Sequence, residues 1–336
     1  MRVVDRVYMA KACLCANPYL PVFFVLLTGN GLTRGEIISA IAFGSFAMIL
    51  GDLVSSALCD WLGPKRVVIT AAIVQATVIG LLPVCATAIQ LYALEFVIGL
   101  SFPAIHGADS KWLKHLLAGA YSERCNQAIA WASQLGSAII GGCLIRWPIV
   151  ACGVSVLAYT VGLLICIWLP DVRPPARKLA KSDDSFRHAA HQMFIPLLRF
   201  SILLGLCNSA FWILQAHADK TFASLPVMFV MIQVVGAALS LTGSLASGVL
   251  LRGHRSTVAV GMIAATYVVC AVAQVEIAIW LSIGAALFVR GGVSVLAREA
   301  VLADIPPNGP VATIATALAV KAKLVQGASL ALISRF

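Results

Sequence analysis

Residues 52–66 read DLVSSALCDWLGPKR and join two long apolar segments through one short charged turn. The positions that stand out are Ser56, Asp60, Gly63, Lys65 and Arg66. A small residue lets two helices approach closely, and a glycine reaches backbone conformations that are closed to other residues. Paired cations after the turn favour the cytoplasmic side of a membrane. The stretch therefore predicts a tight cytoplasmic loop between two membrane helices.

The composition of the chain indicates that it lies in a membrane rather than in water. Of 336 residues, 60% are hydrophobic and only 11% are charged, so a water-soluble fold would have too few polar residues to cover its surface. A bilayer core of about 30 Å takes about 20 helical residues to cross, because the backbone must satisfy its own hydrogen bonds there. We therefore expect an all-α, multi-pass membrane protein. The net charge of +10 lies in short loops, so it indicates topology rather than nucleic-acid binding.

Long apolar runs separated by polar turns predict about eleven membrane spans. Their approximate bounds are 8–28, 36–58, 67–88, 90–108, 127–145, 149–169, 194–216, 225–251, 257–275, 277–297 and 311–333. The long polar stretch 171–192 is basic and predicts a cytoplasmic linker. It separates a six-helix bundle over 1–170 from a five-helix bundle over 193–336. After the eleventh span too little sequence remains for a twelfth.

Two of these spans carry residues that shape helix packing. Pro18 and Pro21 lie in the middle of the first span, where prolines usually bend a helix. Small residues recur in the fifth span at Gly136, Gly141 and Gly142, so another helix can approach closely there.

The loop 52–66 resembles the signature GxxxD(R/K)xGx(R/K)(R/K) of the major facilitator superfamily of transporters, with Ser56 in place of the first glycine. The turn from Arg252 to Arg255 occupies the equivalent place in the second half, which indicates weak internal symmetry. Asp52 and the segments GADSKWLKHL and PPNGPVATIATA resemble the drug-exporter-like branch. The resemblance implies two pseudo-symmetric helical bundles of the major facilitator type, without a twelfth helix, that rock around a central cavity.

The resemblance also implies that the loop signature locks a cytoplasmic gate. Asp60 and Arg66 would hold span two against the N-terminal end of the last span, where free helix amides favour an acid. Asp109 would join this contact through Lys65 or Arg66. The alternative is a turn that only fixes the topology.

Charged residues at membrane depth are candidates for ion coupling, since a charge there costs at least about 2.5–3.5 kcal/mol on insertion scales. They are Asp52, Glu95, Lys321 and Lys323. Because two positions along a helix face different sides, we expect Asp52 to pair with only one of the lysines and to sense a coupling proton or ion. The alternative is that the lysines snorkel to lipid headgroups.

Uncharged polar residues, aromatic residues and one arginine within the spans are candidates to line a substrate cavity. They are Tyr19, Gln75, Gln134, Asn208, Trp212, Gln215 and Arg290. The alternative for the amides is that they only bridge helices, each contributing well under about 2 kcal/mol. A mixed cavity with few charges suits amphiphilic compounds.

These features favour a secondary active transporter in the cell (inner) membrane, with its N-terminus in the cytoplasm. Export driven by protons or ions is expected, because no nucleotide-binding loop GxxxxGK(S/T) occurs. The alternative is a non-transporting scaffold or receptor derived from such a fold. Motifs such as HExxH and GxSxG are absent, so we expect no enzyme, cofactor or metal site. The expected partners are a small-molecule substrate of unknown identity, the coupling ion and the lipid bilayer.

Overall fold

The computed structural model of the chain describes residues 3–106, 112–113, 116–117, 121–171, 226–250, 285 and 287–288. Within these residues the chain is helical and contains no β-strand. Its α-helices are α1 (Val3–Leu14), α2 (Phe23–Gly29), α3 (Arg34–Leu62), α4 (Pro64–Leu81), α5 (Ala88–His106), α6 (Glu123–Cys143), α7 (Pro148–Trp168) and α8 (Pro226–Leu250). Short 3-10 turns cover Leu20–Val22 and Leu82–Val84.

The helices match the predicted spans. Spans two to six coincide with α3 to α7 within a few residues, and span eight coincides with α8. The bend expected in the first span is a full break, because α1 ends at Leu14 and α2 begins only at Phe23. Pro18 and Pro21 lie between them, and neither brings an N–H group to a helical ladder. Spans seven, nine and eleven, and hence the total count, lie outside the described residues.

Side chains at the helix starts hold the first turns of α3 and α5. The Thr33 N–H donates to Glu36 Oε2 at 2.8 Å, and the Glu36 N–H donates back to Thr33 Oγ1 at 3.3 Å. Thr87 and Gln90 repeat this reciprocal arrangement before α5. Such capping boxes satisfy backbone N–H groups that have no partner inside the helix.

One residue, Gly63, makes the turn between α3 and α4. Its φ of +89° lies in a region that other residues rarely adopt, and nothing lies within 4 Å of the place where its Cβ would be. Conformation rather than space therefore requires glycine here, which confirms the predicted tight loop. Pro64 follows and opens α4, at a position where its missing N–H removes no helical bond.

α3 and α5 approach each other through glycines. A Cβ added to Gly99 would overlap the Gly44 carbonyl oxygen and lie 2.7 Å from the Ala47 Cβ. A Cβ added to Gly51 would lie 2.6 Å from the Leu100 carbonyl oxygen. Close backbone contact of this kind is how small residues hold helices together in lipid.

The second half shows a matching contact. The Ser240 hydroxyl of α8 donates to the Leu287 carbonyl at 3.1 Å, and Leu287 lies in the predicted tenth span. Spans eight and ten thus meet as spans two and four do. This correspondence agrees with two pseudo-symmetric helical bundles.

The outer surface of the bundle is apolar, as a lipid solvent requires. Large side chains exposed on the helices include Val54, Ile139 and Leu157. In the described part of the chain, four segments are long and apolar enough to cross a membrane, Gly35–Asp52, Pro64–Val84, Ala88–Ile105 and Pro148–Trp168. Trp61 and Trp168, at the C-terminal ends of α3 and α7, are 80% and 81% exposed, as in aromatic belts at membrane interfaces. The chain is an all-α integral membrane protein.

The glycine contact predicts opposite effects for two Gly→Ala substitutions. Gly99→Ala should lower the free energy of unfolding in detergent by about 1–3 kcal/mol, because backbone must move to admit the methyl group. Gly80→Ala on α4 should be neutral or raise it by up to about 1 kcal/mol, since its Cβ would meet only the Val156 Cγ2 at 3.8 Å. Equal effects of the two substitutions in denaturant titrations would contradict this packing.

Candidate functional site

The break in the first span leaves two backbone N–H groups without a helical partner, and neighbouring helices supply one for each. The Asn17 N–H donates to Ser137 Oγ of α6 at 2.9 Å, and the Tyr19 N–H donates to Ser155 Oγ of α7 at 3.0 Å. Each serine hydroxyl donates in turn to the carbonyl four residues before it. Two helices therefore replace the hydrogen bonds that the break removes, as a low-dielectric solvent demands.

Further contacts fix the geometry of the break. The Tyr159 hydroxyl of α7 donates to Asn17 Oδ1 at 3.2 Å, and the Asn17 amide donates to a carbonyl of its own segment. Gly141 of α6 lies against the break, since a Cβ there would overlap the Pro18 carbonyl oxygen. Gly141 is thus a point of close helix approach, as its sequence context predicts, whereas a Cβ added to Gly136 would meet no atom of the described residues within 4 Å.

The break lies where the two halves of the chain meet. α8, from the second half, packs against α6 and against the 3-10 turn Leu20–Val22. α6 itself lies between α1 and α8, and it carries polar residues such as Gln127 and Gln134 where a lipid-facing helix would not. Discontinuous helices at the interface of two repeats form the substrate and ion sites of many transporters. We therefore take the break as the candidate functional site.

Two buried polar side chains near the break have no polar partner for their side chains within the part of the chain that the structure describes. Glu95 of α5 is 7% exposed and Tyr19 is 6% exposed. Neither the Glu95 carboxyl nor the Tyr19 hydroxyl makes a hydrogen bond or ion pair within the described residues. The two groups are close enough to interact electrostatically, and the Glu95 carboxyl packs against Gly44. The Glu95 carboxyl is therefore a candidate to bind a proton, and both groups are candidates to bind a polar ligand.

The other predicted cavity residues have different positions. Gln75 is 1% exposed, and its Nε2 donates to the Ile98 carbonyl at 3.1 Å and to Ser101 Oγ at 2.9 Å, so it bridges α4 and α5. Gln134 is half-buried on α6. Four candidates, Asn208, Trp212, Gln215 and Arg290, lie outside the described residues.

The predicted charge pair and gate lock are described only in part. Asp52 is half-buried on α3 and takes part in an interaction. Its predicted partners Lys321 and Lys323 lie outside the described residues, as do Asp109 and the last span. Ser56 and Asp60 lie on α3, but their side chains are outside the description. The pairing and the lock therefore stay predictions.

Lys65 of the loop signature binds a helix end that the sequence did not point to. Its Nζ donates to the carbonyls of Ile167, at 3.0 Å, and Leu169, at the C-terminal end of α7. The Trp112 indole N–H donates to the next carbonyl along, that of Pro170, at 3.3 Å. A cation is favoured at a helix C-terminus, where carbonyls lack helical partners. The loop between spans two and three is thereby fastened to span six.

A buried charge on α1 is absent from the sequence-based candidates. Lys11 is 4% exposed and shares a helix face with Val7 and Leu14. Its position inside the predicted first span, rather than before it, is the signal that could have found it. The serines that cap the break carry no such signal, because Ser137 and Ser155 also suit helix packing in general.

Comparison with known proteins shows the fold but no close relative. No protein-family model matches the chain, and no curated protein is similar to it in sequence. The chain is similar to the solved structure of the human organic anion transporter MFSD10 (TETRAN), at 14% identity and a TM-score of 0.67, over 98% of this chain and 92% of that one. It is also similar to a D-xylose-proton symporter, at 12% identity and a TM-score of 0.66, over 98% and 87% of the two chains.

A third similar structure is a bacterial homologue of the human lysosomal transporter Spinster, in an inward-facing and unoccupied conformation. Here the identity is 12% and the TM-score 0.67, over 98% of this chain and 82% of that one. The chain therefore has the major facilitator fold. At this level of identity the drug-exporter-like branch stays a prediction.

The contact of Lys65 with α7 predicts unequal roles for the two adjacent cations of the loop. Lys65→Gln should lower the free energy of unfolding by about 1 kcal/mol, because it removes a cation from a helix C-terminus. Arg66→Gln is the matched control, since Arg66 is exposed and makes no hydrogen bond or ion pair within the described residues, and should change stability by less than about 0.5 kcal/mol. Denaturant titration in detergent that gave both variants the same loss would contradict the assignment.

Proposed function

We propose that the chain is a secondary active transporter that moves a small molecule by alternating access of its two halves, with the proton as its coupling ion. The observation that carries this proposal is the broken first span at the junction of the halves, with Glu95 and Tyr19 beside it. The shared fold with three solved transporters supports the same class of activity. For the direction of transport we expect export, and for the cargo we expect amphiphilic compounds.

Glu95 is the residue best placed to bind the coupling proton. An ionised carboxylate at this depth without a cation costs several kcal/mol, so burial favours a neutral carboxyl or a bound cation. Its position against α3, at the glycine contact with Gly44, ties its charge state to helix packing. A change in charge at Glu95 would therefore alter the balance between two arrangements of the helices.

Asp52 and the loop signature complete the proposed cycle. A pair between Asp52 and Lys321 or Lys323 would respond to the same proton, and a contact of Asp60 and Arg66 with the last span would close the cytoplasmic side. These contacts belong to the proposal. The fastening of Lys65 to α7 supports a role of this loop in holding its end of the first half together.

The distribution of basic residues supports a cytoplasmic N-terminus, and the inner cell membrane belongs to the proposal as the expected location. Lys65, Arg66 and Arg124 lie at one end of the helices, together with the start of α1, while Arg34 and Arg146 lie at the other. The end of α7 lies on the side of Lys65, and the basic stretch 171–192 follows it in the sequence. An excess of Lys and Arg marks the cytoplasmic side.

Transport in proteoliposomes tests the proposal. Labelled D-xylose and organic anions, the cargoes named for two of the similar structures, form a first panel, extended by amphiphilic cations. We expect one member of the panel to accumulate under a pH gradient. Glu95→Gln should reduce that accumulation at least about tenfold. The variant should still exchange labelled for unlabelled cargo, because exchange needs no net movement of protons.

Glu36→Gln is the matched control, since Glu36 lies at the start of α3 and glutamine can also complete a capping box. It should leave gradient-driven transport unchanged. If the Glu95→Gln variant accumulated the cargo as fully as wild type, the assignment of Glu95 to proton coupling would be wrong. Movement of no panel member in either direction would favour the scaffold or receptor alternative.

A further inference from the structure

A groove lies at the end of the bundle opposite Lys65. It has a volume of about 430 Å³ and is formed where α2 ends and the connection between α6 and α7 passes by. Its lining consists of Val25, Leu26, Gly29 and Asn30 on one side and residues 146–150 on the other. The volume is within the range of about 300–1,000 Å³ that is usual for small-molecule sites.

The groove straddles the boundary between headgroups and hydrocarbon. α7 begins at Pro148, which is also the first residue of a segment apolar enough to cross the membrane. Arg146 precedes this boundary by two residues, whereas Ile149 and Val150 follow it and are 63% and 51% exposed. Trp147, 60% exposed, lies at the boundary itself, where amphipathic aromatic rings are enriched. The groove is thus apolar at its deeper end and cationic at its outer end.

Charge decides what the groove fits. No described carboxylate pairs with Arg146, and the Asn30 amide is already used in hydrogen bonds to the carbonyls of Pro83 and Cys85, at 3.1 and 3.0 Å. The guanidinium is therefore the charged group that remains for a ligand, and arginine matches phosphate oxygens with two parallel hydrogen bonds.

The position of the groove decides where its ligand comes from. No residue of α8 lines it, although α8 borders the break at the junction of the halves. The exposed walls formed by Ile149 and Val150 belong instead to the surface that faces lipid. We propose that this groove binds one phospholipid with an anionic headgroup, its phosphate on Arg146 and part of an acyl chain against the apolar wall. The site is separate from the proposed transport site and does not depend on transport.

Gly29 offers a way to fill the groove without disturbing the fold. Nothing lies within 4 Å of the place where its Cβ would be, and it ends α2 without the positive φ of Gly31 or Gly63. Gly29→Leu therefore adds a side chain to open space. Gly35→Leu is the matched control, because no described atom lies within 4 Å of the place of its Cβ, and it lies at the same end of the bundle but does not line the groove.

The test is native mass spectrometry of the full chain after titration with phosphatidylglycerol or phosphatidylcholine of identical acyl chains. Wild type should retain one phosphatidylglycerol more tightly than phosphatidylcholine. Arg146→Gln should weaken phosphatidylglycerol binding by about tenfold, since it removes a charge-assisted contact with phosphate. It should weaken phosphatidylcholine binding by less, because the choline cation of that lipid offsets the charge of its phosphate. Gly29→Leu should weaken both lipids, and Arg34→Gln and Gly35→Leu neither.

Inorganic phosphate separates a lipid from a free anion. Phosphate at millimolar concentration should not displace the bound phosphatidylglycerol, because it lacks the acyl chain. Displacement by phosphate, or equal retention of phosphatidylglycerol by wild type and Arg146→Gln, would overturn the proposal. So would unchanged binding of both lipids in a folded Gly29→Leu variant.

Discussion

The need to satisfy every buried backbone N–H group in lipid is the constraint on which this structure depends. Water can complete an interrupted helix in a soluble protein, but within a bilayer the protein must do so itself. The break in the first span meets this need through Ser137 and Ser155, which accept the N–H groups of Asn17 and Tyr19. Spans one, five and six are thereby joined at membrane depth, and the irregular backbone is confined to their common contact.

The same contact places the groups that can do chemistry. Tyr19, within the break, and Glu95 of α5 are both buried in the bundle. α8 approaches from the second half and covers the 3-10 turn that follows. Glycines on α3 and α5 hold the neighbouring pair of helices at close range, so a change in charge at Glu95 acts on a tightly packed contact. The residues that fix the helix packing and those that the proposed mechanism uses therefore lie close together in the first half of the chain.

The sequence was sufficient for the helices and for single residues whose role is local. Lengths of apolar runs predicted α3 to α8 within a few residues, because the thickness of the bilayer sets the length of a span. Gly63 was identifiable because the turn needs a backbone conformation that glycine adopts easily and other residues rarely do. The burial of Glu95 was predictable because its charge lies inside an apolar run, whereas its role in coupling stays a prediction.

Contacts between distant residues could not be predicted in this way. Asn17 and Ser137 are separated by 120 positions, and Tyr19 and Ser155 by 136. A serine in a membrane helix is compatible with many neighbours, so its type does not name its partner. Lys65 shows the same limit: its charge predicted the side of the membrane, whereas its partners at the end of α7 follow only from the packing of spans three and six.

Amide hydrogen exchange at single-residue resolution tests the capped break most directly. In wild type in detergent, the amides of Asn17 and Tyr19 should be protected. Ser137→Ala should accelerate exchange at Asn17 and not at Tyr19, and Ser155→Ala should do the reverse, because each serine accepts one N–H group. Thr160→Val should change neither, because within the described part of the chain this hydroxyl bonds only to the Val156 carbonyl of its own helix. Rapid exchange of both amides in wild type, or protection that survives the loss of its own serine, would contradict the account.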